Sequence, residues 1–226
     1  PDVAPEDRLT WVEMTYTEIY SGGTSTDKSY MLLEYDAEGL LTGYDQYDYD
    51  SEQPDKINAS YERTLKRSEG KITEEEKWLE IYSGGYEGMP LPNSGEYAKE
   101  YRLNTSGLVS SYTDPDGVSQ TFTYNADGTL ARLEYRNPSY PEENSTSTLT
   151  WQDGNIASIS TIDGRDNETM TFTYTEHLNP WNGIDMGAFL INDAEESAML
   201  LGISGTTVKN LPASRQDGNS LSLIHI

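Results

Sequence analysis

Tyrosine and aspartate alternate through the stretch Gly43-Tyr-Asp-Gln-Tyr-Asp-Tyr-Asp50. In an extended strand successive side chains point to opposite faces, so Tyr47 and Tyr49 share one face and Asp48 and Asp50 the other. Exposed rings beside carboxylate acceptors make a platform for sugar rings, and aromatic anchors also serve protein interfaces. Tyr44, Tyr47 and Tyr49, with Trp181 in the Asn179-Pro180-Trp181 loop, are the candidate ligand-binding rings. The same residues have a plainer use. Cross-strand tyrosine ladders cover a sheet that is poor in Leu and Val, and a Trp next to a Pro wedges its loop onto a core. That plainer account is favoured.

Two acidic segments offer oxygen ligands of the kind calcium requires. Asp114-Pro-Asp-Gly117 and Asp163-Gly-Arg-Asp-Asn-Glu168 make Asp114, Asp116, Asp163, Asp166 and Glu168 the candidate calcium ligands, and no other cofactor is implied. Neither segment matches an EF-hand loop with its distant bidentate Glu, and tight turns demand Asp and Gly on their own account. With 39 Asp and Glu in the chain, a glycosidase-type pair about 5 to 9.5 Å apart is available by composition, although close pairs also arise by chance. His177 is the one histidine besides His225, and a lone His at a strand end is more often structural. His-Glu-x-x-His, Gly-x-Ser-x-Gly and Gly-Lys-Ser/Thr motifs are absent from the sequence. The expectation is a protein that is not an enzyme; the alternative is a carbohydrate-active hydrolase using two carboxylates.

These residues must be held by strands. Of 226 residues, 24 are aromatic (17 Tyr, 4 Trp, 3 Phe) and none is cysteine. A disordered chain of this charge would lack the aromatics, and Tyr, Thr and Trp favour a pleated, half-buried surface. The net charge of −24 repels phosphate backbones and anionic headgroups, which argues against nucleic acid and a bare membrane surface as partners. No apolar run approaches the ~20 residues of a membrane-spanning helix. Without cysteine there is no disulfide framework or thiol nucleophile.

Turn signals set the rhythm. Asn125-Ala-Asp-Gly128 sits between Phe122-Thr-Tyr124 and Leu130-Ala-Arg-Leu-Glu-Tyr135, a hairpin in which Asn and Asp tolerate the turn and Gly supplies positive φ. Asp36-Ala-Glu-Gly39 and Asn104-Thr-Ser-Gly107 repeat the unit, and Asp153-Gly154 shortens it. Gly107, Gly117, Gly128, Gly154 and Gly164 fall roughly every 10 to 13 residues apart from a break at 137–144, which describes an antiparallel meander. Longer turns are expected at 21–29, 50–56, 67–71 and 83–95. The fold class is all-β, one curved or twisted sheet of hairpin repeats in a single domain over 9–220, after a flexible leader at 1–8. One short α-helix is expected near 193–201, opened by Asn192 or Asp193 and stopped by Gly202.

The stretch Phe122–Tyr135 resembles the YD-type repeat of bacterial surface proteins and polymorphic toxins. The segment from Phe172 through the Asn179-Pro180-Trp181 loop to Lys209-Asn-Leu-Pro-Ala-Ser214 is similar to Bacteroidota envelope lipoproteins of unknown function. The resemblance implies an exported β protein at the outer-membrane surface or in the periplasm, with a lipid anchor upstream, and no catalytic residue. It leads to an envelope module that binds a glycan or surface protein or acts as a spacer; a fragment of a toxin shell is a further alternative. In those relatives more hairpins follow the Leu-Pro segment. The ending Leu221-Ser-Leu-Ile-His-Ile226 can be spelled CTG-TCT-CTT-ATA-CAC-ATC, similar to a transposon-end sequencing adapter. The expectation is therefore that 221–226 is adapter-derived and that the domain is truncated at its C-terminus.

Overall fold

The fold is described from a computed structural model over residues 10–20, 23–49, 57–80, 93–164, 167–179, 205–217 and 220–223. Five strands come first: β1 (Trp11–Tyr20), β2 (Gly23–Tyr35), β3 (Leu41–Tyr49), β4 (Ile57–Ser68) and β5 (Lys71–Glu80). Next are β6 (Asn93–Leu103), β7 (Val109–Thr113), β8 (Ser119–Tyr124), β9 (Leu130–Arg136) and β10 (Ser145–Gln152). The last are β11 (Asn155–Ile162), β12 (Asn167–Leu178), β13 (Asn210–Asp217) and β14 (Ser220–Leu223). Each strand hydrogen-bonds to the next in chain order, so the meander read from the turn spacing is the topology observed. A 3-10 turn at Pro141–Glu143 fills the break at 137–144. The helix expected near 193–201, Trp181, Asp166 and His225 lie outside the described residues. The turn expected at 21–29 is shorter than that: β1–β2 pairing continues to Tyr20↔Gly23, because Thr24 and Thr26 are as suited to a pleated strand as to a loop. Likewise β6 begins at Asn93, inside the turn expected at 83–95.

By its internal contacts the chain divides into two compact units, one of Pro1–Arg67 with Thr73–Ala98 and one of Ser68–Ile72 with Lys99–Ile226.

The second unit is built from one repeated device. In each long turn an Asp or Asn side chain folds back on the backbone. Asn104 Oδ1 accepts from the amides of Ser106 and Leu108 at 2.9 and 3.1 Å, and Asp114 Oδ1 accepts from Asp116 and Val118 at 2.9 Å each. Four residues on from each Asx, the backbone closes the loop: the Asn104, Asp114 and Asn125 amides donate to Leu108, Val118 and Thr129. The fourth turn position needs positive φ, and Gly107, Gly117 and Gly128 take it at +79° to +83°. The short turn has Asp153 at +53° and Gly154 at +82°, the pair of positive φ values that a two-residue hairpin of right-handed twist requires.

Aromatic residues entering these turns lock them together. Tyr124 Oη donates to the Val109 carbonyl at 2.8 Å, Trp151 Nε1 to Leu130 at 2.8 Å, and Tyr174 Oη to Ile156 at 2.9 Å. Tyr124 and Trp151, each just before a turn, reach the first strand residue after the previous turn at the same end of the sheet, and Tyr174, from within β12, reaches the second residue of β11. The register slips by a bulge beside all three rings, and such slips leave main-chain groups outside the ladder. Inside the unit, Leu133, Leu149, Ile159 and Met170 are at most 5% exposed. Leu149 faces Ile159 and Ile159 faces Met170 across the strands, so these three form a continuous apolar row on the buried face.

The segment 205–210 then lies across the turn ends. Thr206 N donates to Gly128 O and Lys209 N to Gly154 O, both at 2.9 Å. Asn210 and Asn155 exchange two further bonds, and Val208, within the strap, is buried at 1% exposure. The Thr206 and Lys209 amides thus satisfy the carbonyls of the turn glycines Gly128 and Gly154.

Candidate functional site

The first unit has two unlike faces, and the strand register assigns residues to them. Directly opposed residues in an antiparallel pair project to the same side. Trp11 opposes Leu32 and Glu13 opposes Tyr30; Tyr30 in turn opposes Tyr47, and Leu32 opposes Asp45. Asp45 opposes Glu62 and Tyr47 opposes Ser60. One face of β1–β4 therefore gathers Trp11, Tyr30 and Tyr47 with the carboxylates of Asp45 and Glu62, and Tyr49 continues it.

This face is open. Trp11 is 49% exposed, Leu32 43% and Leu79 37%. The Trp11 and Tyr30 rings lie 5.8 Å apart at a tilt of 35°, and Tyr49 meets Tyr30 edge-on at 5.1 Å, within the range of favourable ring pairs. Beside them a shallow depression of about 250 Å³ crosses β3, β4 and β5, walled by Asp45, Tyr47, Ser60, Glu62, Lys77 and Leu79, with Tyr61 and Trp78. Trp78 lies flat against Gly95, where any side chain would collide with the indole at 2.8 Å. Tyr47 Oη donates to Asp45 Oδ2 at 3.4 Å. Partial burial first, and the Asp45 charge second, raise the Tyr47 phenol above its ordinary pKa, so Tyr47 stays a neutral hydrogen-bonding group. Two cations on this unit are already engaged: Lys28 pairs with Glu13 at 3.6 Å and Lys66 with Glu75 at 2.5 Å.

The opposite face carries a buried ionic cluster. The Arg63 guanidinium donates to Glu76 and, at 2.9 Å, to Gln46 Oε1, with Glu74 3.6 Å away. It stacks 4.8 Å from the Tyr44 ring and 5.0 Å from Tyr61. Burial, followed by the Asp48 charge, raises the Tyr61 phenol. Tyr44 was expected among the ligand-facing rings, and this corrects it. At 1% exposure it is a wall of the Arg63 site, because three positions from Tyr47 is an odd step along a strand and puts its ring on the other face.

Of the other expected residues, Asp114 is committed to its own turn through the bonds above, with Asp116 exposed beside it. Asp163 and Glu168 flank the β11–β12 connection, next to the closing pair Ile162↔Asn167. Among the described residues no group of three or more His, Asp or Glu is placed to hold a metal ion. His177 is exposed on β12 and its amide donates to Thr175 Oγ1. The sequence reading missed Trp11, Tyr30 and Lys77. Alternation along a strand puts Trp11 on the face of Glu13, but only the β1–β2–β3 register shows that this face joins that of Tyr47.

Residues 33–223 match the family described as a domain of unknown function (DUF4595) with porin-like fold. The crystal structure of a porin-like protein from Bacteroides uniformis ATCC 8492 is similar, with a TM-score of 0.62 at 14% identity, covering 93% of this chain and 79% of that one. At that identity the likeness shows the fold alone. No curated protein matches the sequence. Among the described residues no helix is long and apolar enough to cross a membrane, a statement that does not bear on strands.

Proposed function

The chain belongs to this family of porin-like domains designated DUF4595, and from that premise we propose that it is a non-enzymatic cell-envelope module whose exposed aromatic face on β1–β5 binds a glycan or protein. The observation that carries the reading is the row Trp11–Tyr30–Tyr49 running beside a depression that offers hydroxyl, carboxylate and ammonium groups. An exposed Trp beside half-buried Tyr rings offers the aromatic surface that a sugar or protein contact uses.

A membrane-spanning barrel turns apolar side chains outward and polar ones inward. The second unit has the reverse. Thr121, Thr123, Arg132, Thr148, Thr150, Thr169, Thr171 and Thr173 are exposed, while the buried row is Leu, Ile and Met. This supports a porin-like topology that meets water rather than lipid. The lipoprotein resemblance belongs to the same proposal: an exported domain with such a surface stays at the outer membrane, on its outside or in the periplasm, through an anchor elsewhere in the protein. One observation favours a second reading. Asp45 and Glu62 oppose each other in the depression, where a hydrolase would place its two carboxylates.

The test is a glycan array and an envelope-protein pull-down with the wild-type chain and with Trp11→Ala/Tyr47→Ala, each checked for an unchanged unfolding transition. Binding that falls tenfold or more in the folded variant supports the reading. Binding indifferent to these rings, or absent from both assays, overturns it in favour of a structural spacer. Release of sugar from polysaccharide that stops in Asp45→Asn would establish the hydrolase instead.

A further inference from the structure

We infer that the ligand of the aromatic face is an uncharged oligosaccharide laid across the strands, with one sugar unit in the Asp45–Lys77 depression and the chain extending over Tyr30 to Trp11. This rests on the binding reading above and specifies its ligand. Three observations carry it.

The first is size. At about 250 Å³ the depression falls below the range of about 300 to 1,000 Å³ that encloses drug-sized ligands, and it is open on one side. It holds one ring of a longer molecule.

The second is direction. The rings of this face, Trp11 exposed and Tyr30 and Tyr47 half-buried, are not strung along one strand. They sit on successive strands, Trp11 on β1, Tyr30 on β2 and Tyr47 on β3, and the depression continues over β4 to Lys77 and Leu79 on β5. Strands in one sheet are about 4.8 Å apart, so β1 to β5 spans roughly 19 Å, the length of about four linked pyranose rings. A ligand touching both ends must run perpendicular to the strands.

The third is charge. Lys28 and Lys66 are already paired with Glu13 and Glu75, and the depression sets Asp45 and Glu62 against Lys77 alone. On a chain of net charge −24 this surface repels polyanions. Its carboxylates accept hydrogen bonds from hydroxyls, its ammonium and phenol donate them, and its rings cover sugar faces. That set of partners fits a polyol without charge.

The experiment is calorimetric titration of the intact chain with neutral gluco- and galacto-oligosaccharides of one to six units, and with oligogalacturonate of matched length. Affinity is expected to rise with each added unit, by up to about tenfold per ring contact, and to level off near four. Trp11→Ala is expected to leave the shortest ligands unaffected and to bring the plateau forward by one or two units. Tyr47→Ala is expected to weaken every length. Affinity independent of length, an equal loss at all lengths in Trp11→Ala, or tighter binding of oligogalacturonate would overturn this inference while leaving a glycan-binding face in place. Binding to none of these sugars overturns it as well, and joined with silence on the glycan array and the pull-down it also removes the reading on which it rests.

Discussion

Tyr124 donates its hydroxyl hydrogen to the carbonyl of Val109 at 2.8 Å, across a sequence separation of 15 residues. One aromatic thus ties the entry of one turn to the exit of the previous one; Trp151 repeats the arrangement, and Tyr174 makes a similar bond from within β12. Removing a single hydroxyl isolates the bond: Tyr124→Phe keeps the ring and loses the donor. The expected cost is about 1 kcal/mol, read as a lower denaturant midpoint at unchanged slope. A midpoint equal to wild type would show that water replaces the hydroxyl without loss.

The strap makes a second prediction, with an internal control. Gly107 and Gly205 both have positive φ, at +79° and +112°. A Cβ on Gly107 meets nothing within 4 Å, whereas one on Gly205 meets the Gly128 carbonyl at 2.6 Å and the Tyr124 ring at 2.9 Å. Gly107→Ala should cost about 1 to 2 kcal/mol from the backbone alone. Gly205→Ala should cost more, and hydrogen exchange should show lost protection at Thr206 and Lys209, whose amides make the strap bonds.

Arg63 holds two buried carboxylates on one guanidinium. Arg63→Met should destabilise by about 3 to 5 kcal/mol because it strands Glu74 and Glu76 away from water without their cation. Replacing the three together by Met, Met and Leu should restore much of the loss, as apolar substitution of buried ion clusters often does. A triple variant no better than Arg63→Met would mean that the cluster is needed for the shape of the face, beyond charge compensation.

Acid should loosen the Asn125–Thr129 turn. Asp127 Oδ1 accepts from the Thr129 hydroxyl at 2.7 Å and its amide at 3.1 Å, and these bonds, the hydroxyl first, hold its carboxyl below the ordinary aspartate pKa. A carboxyl whose pKa is depressed by folding stabilises the fold above its unfolded pKa and loses that contribution as pH falls through the folded one. Stability curves of wild type and Asp127→Asn should therefore differ at neutral pH and converge in acid. Glu100, lowered chiefly by its hydrogen bond from Lys71, adds to the same trend, so Glu100→Gln should flatten the remaining slope.

Much of this fold was legible from residue types because its constraints are local. A turn that needs positive φ at its fourth position and an Asx side chain at its first announces itself as Asn104 to Gly107 or Asp114 to Gly117, whatever the rest of the chain does. Alternation and turn spacing then lead to a meander with no further information. Even the identity of the aromatic before each turn has a local signature, although its carbonyl partner does not.

What only the tertiary structure decided depends on register. Tyr44 and Tyr47 look alike in sequence, yet one is buried under Arg63 and the other is half-buried on the opposite face, because pairing commits one side of β3 to the ionic cluster. Trp11 joins Tyr30 through cross-strand opposition, which no spacing within one strand encodes. The strap from Thr206 to Lys209 reaches turns dozens of residues earlier. Residue types alone led to strands joined by short Asx-Gly turns, since these follow from each residue's own backbone preferences, while the extent of the longer turns did not. Which strand faces form a core and which stay open to solvent was decided by packing, because a side chain's exposure is set by neighbours that lie far away along the chain.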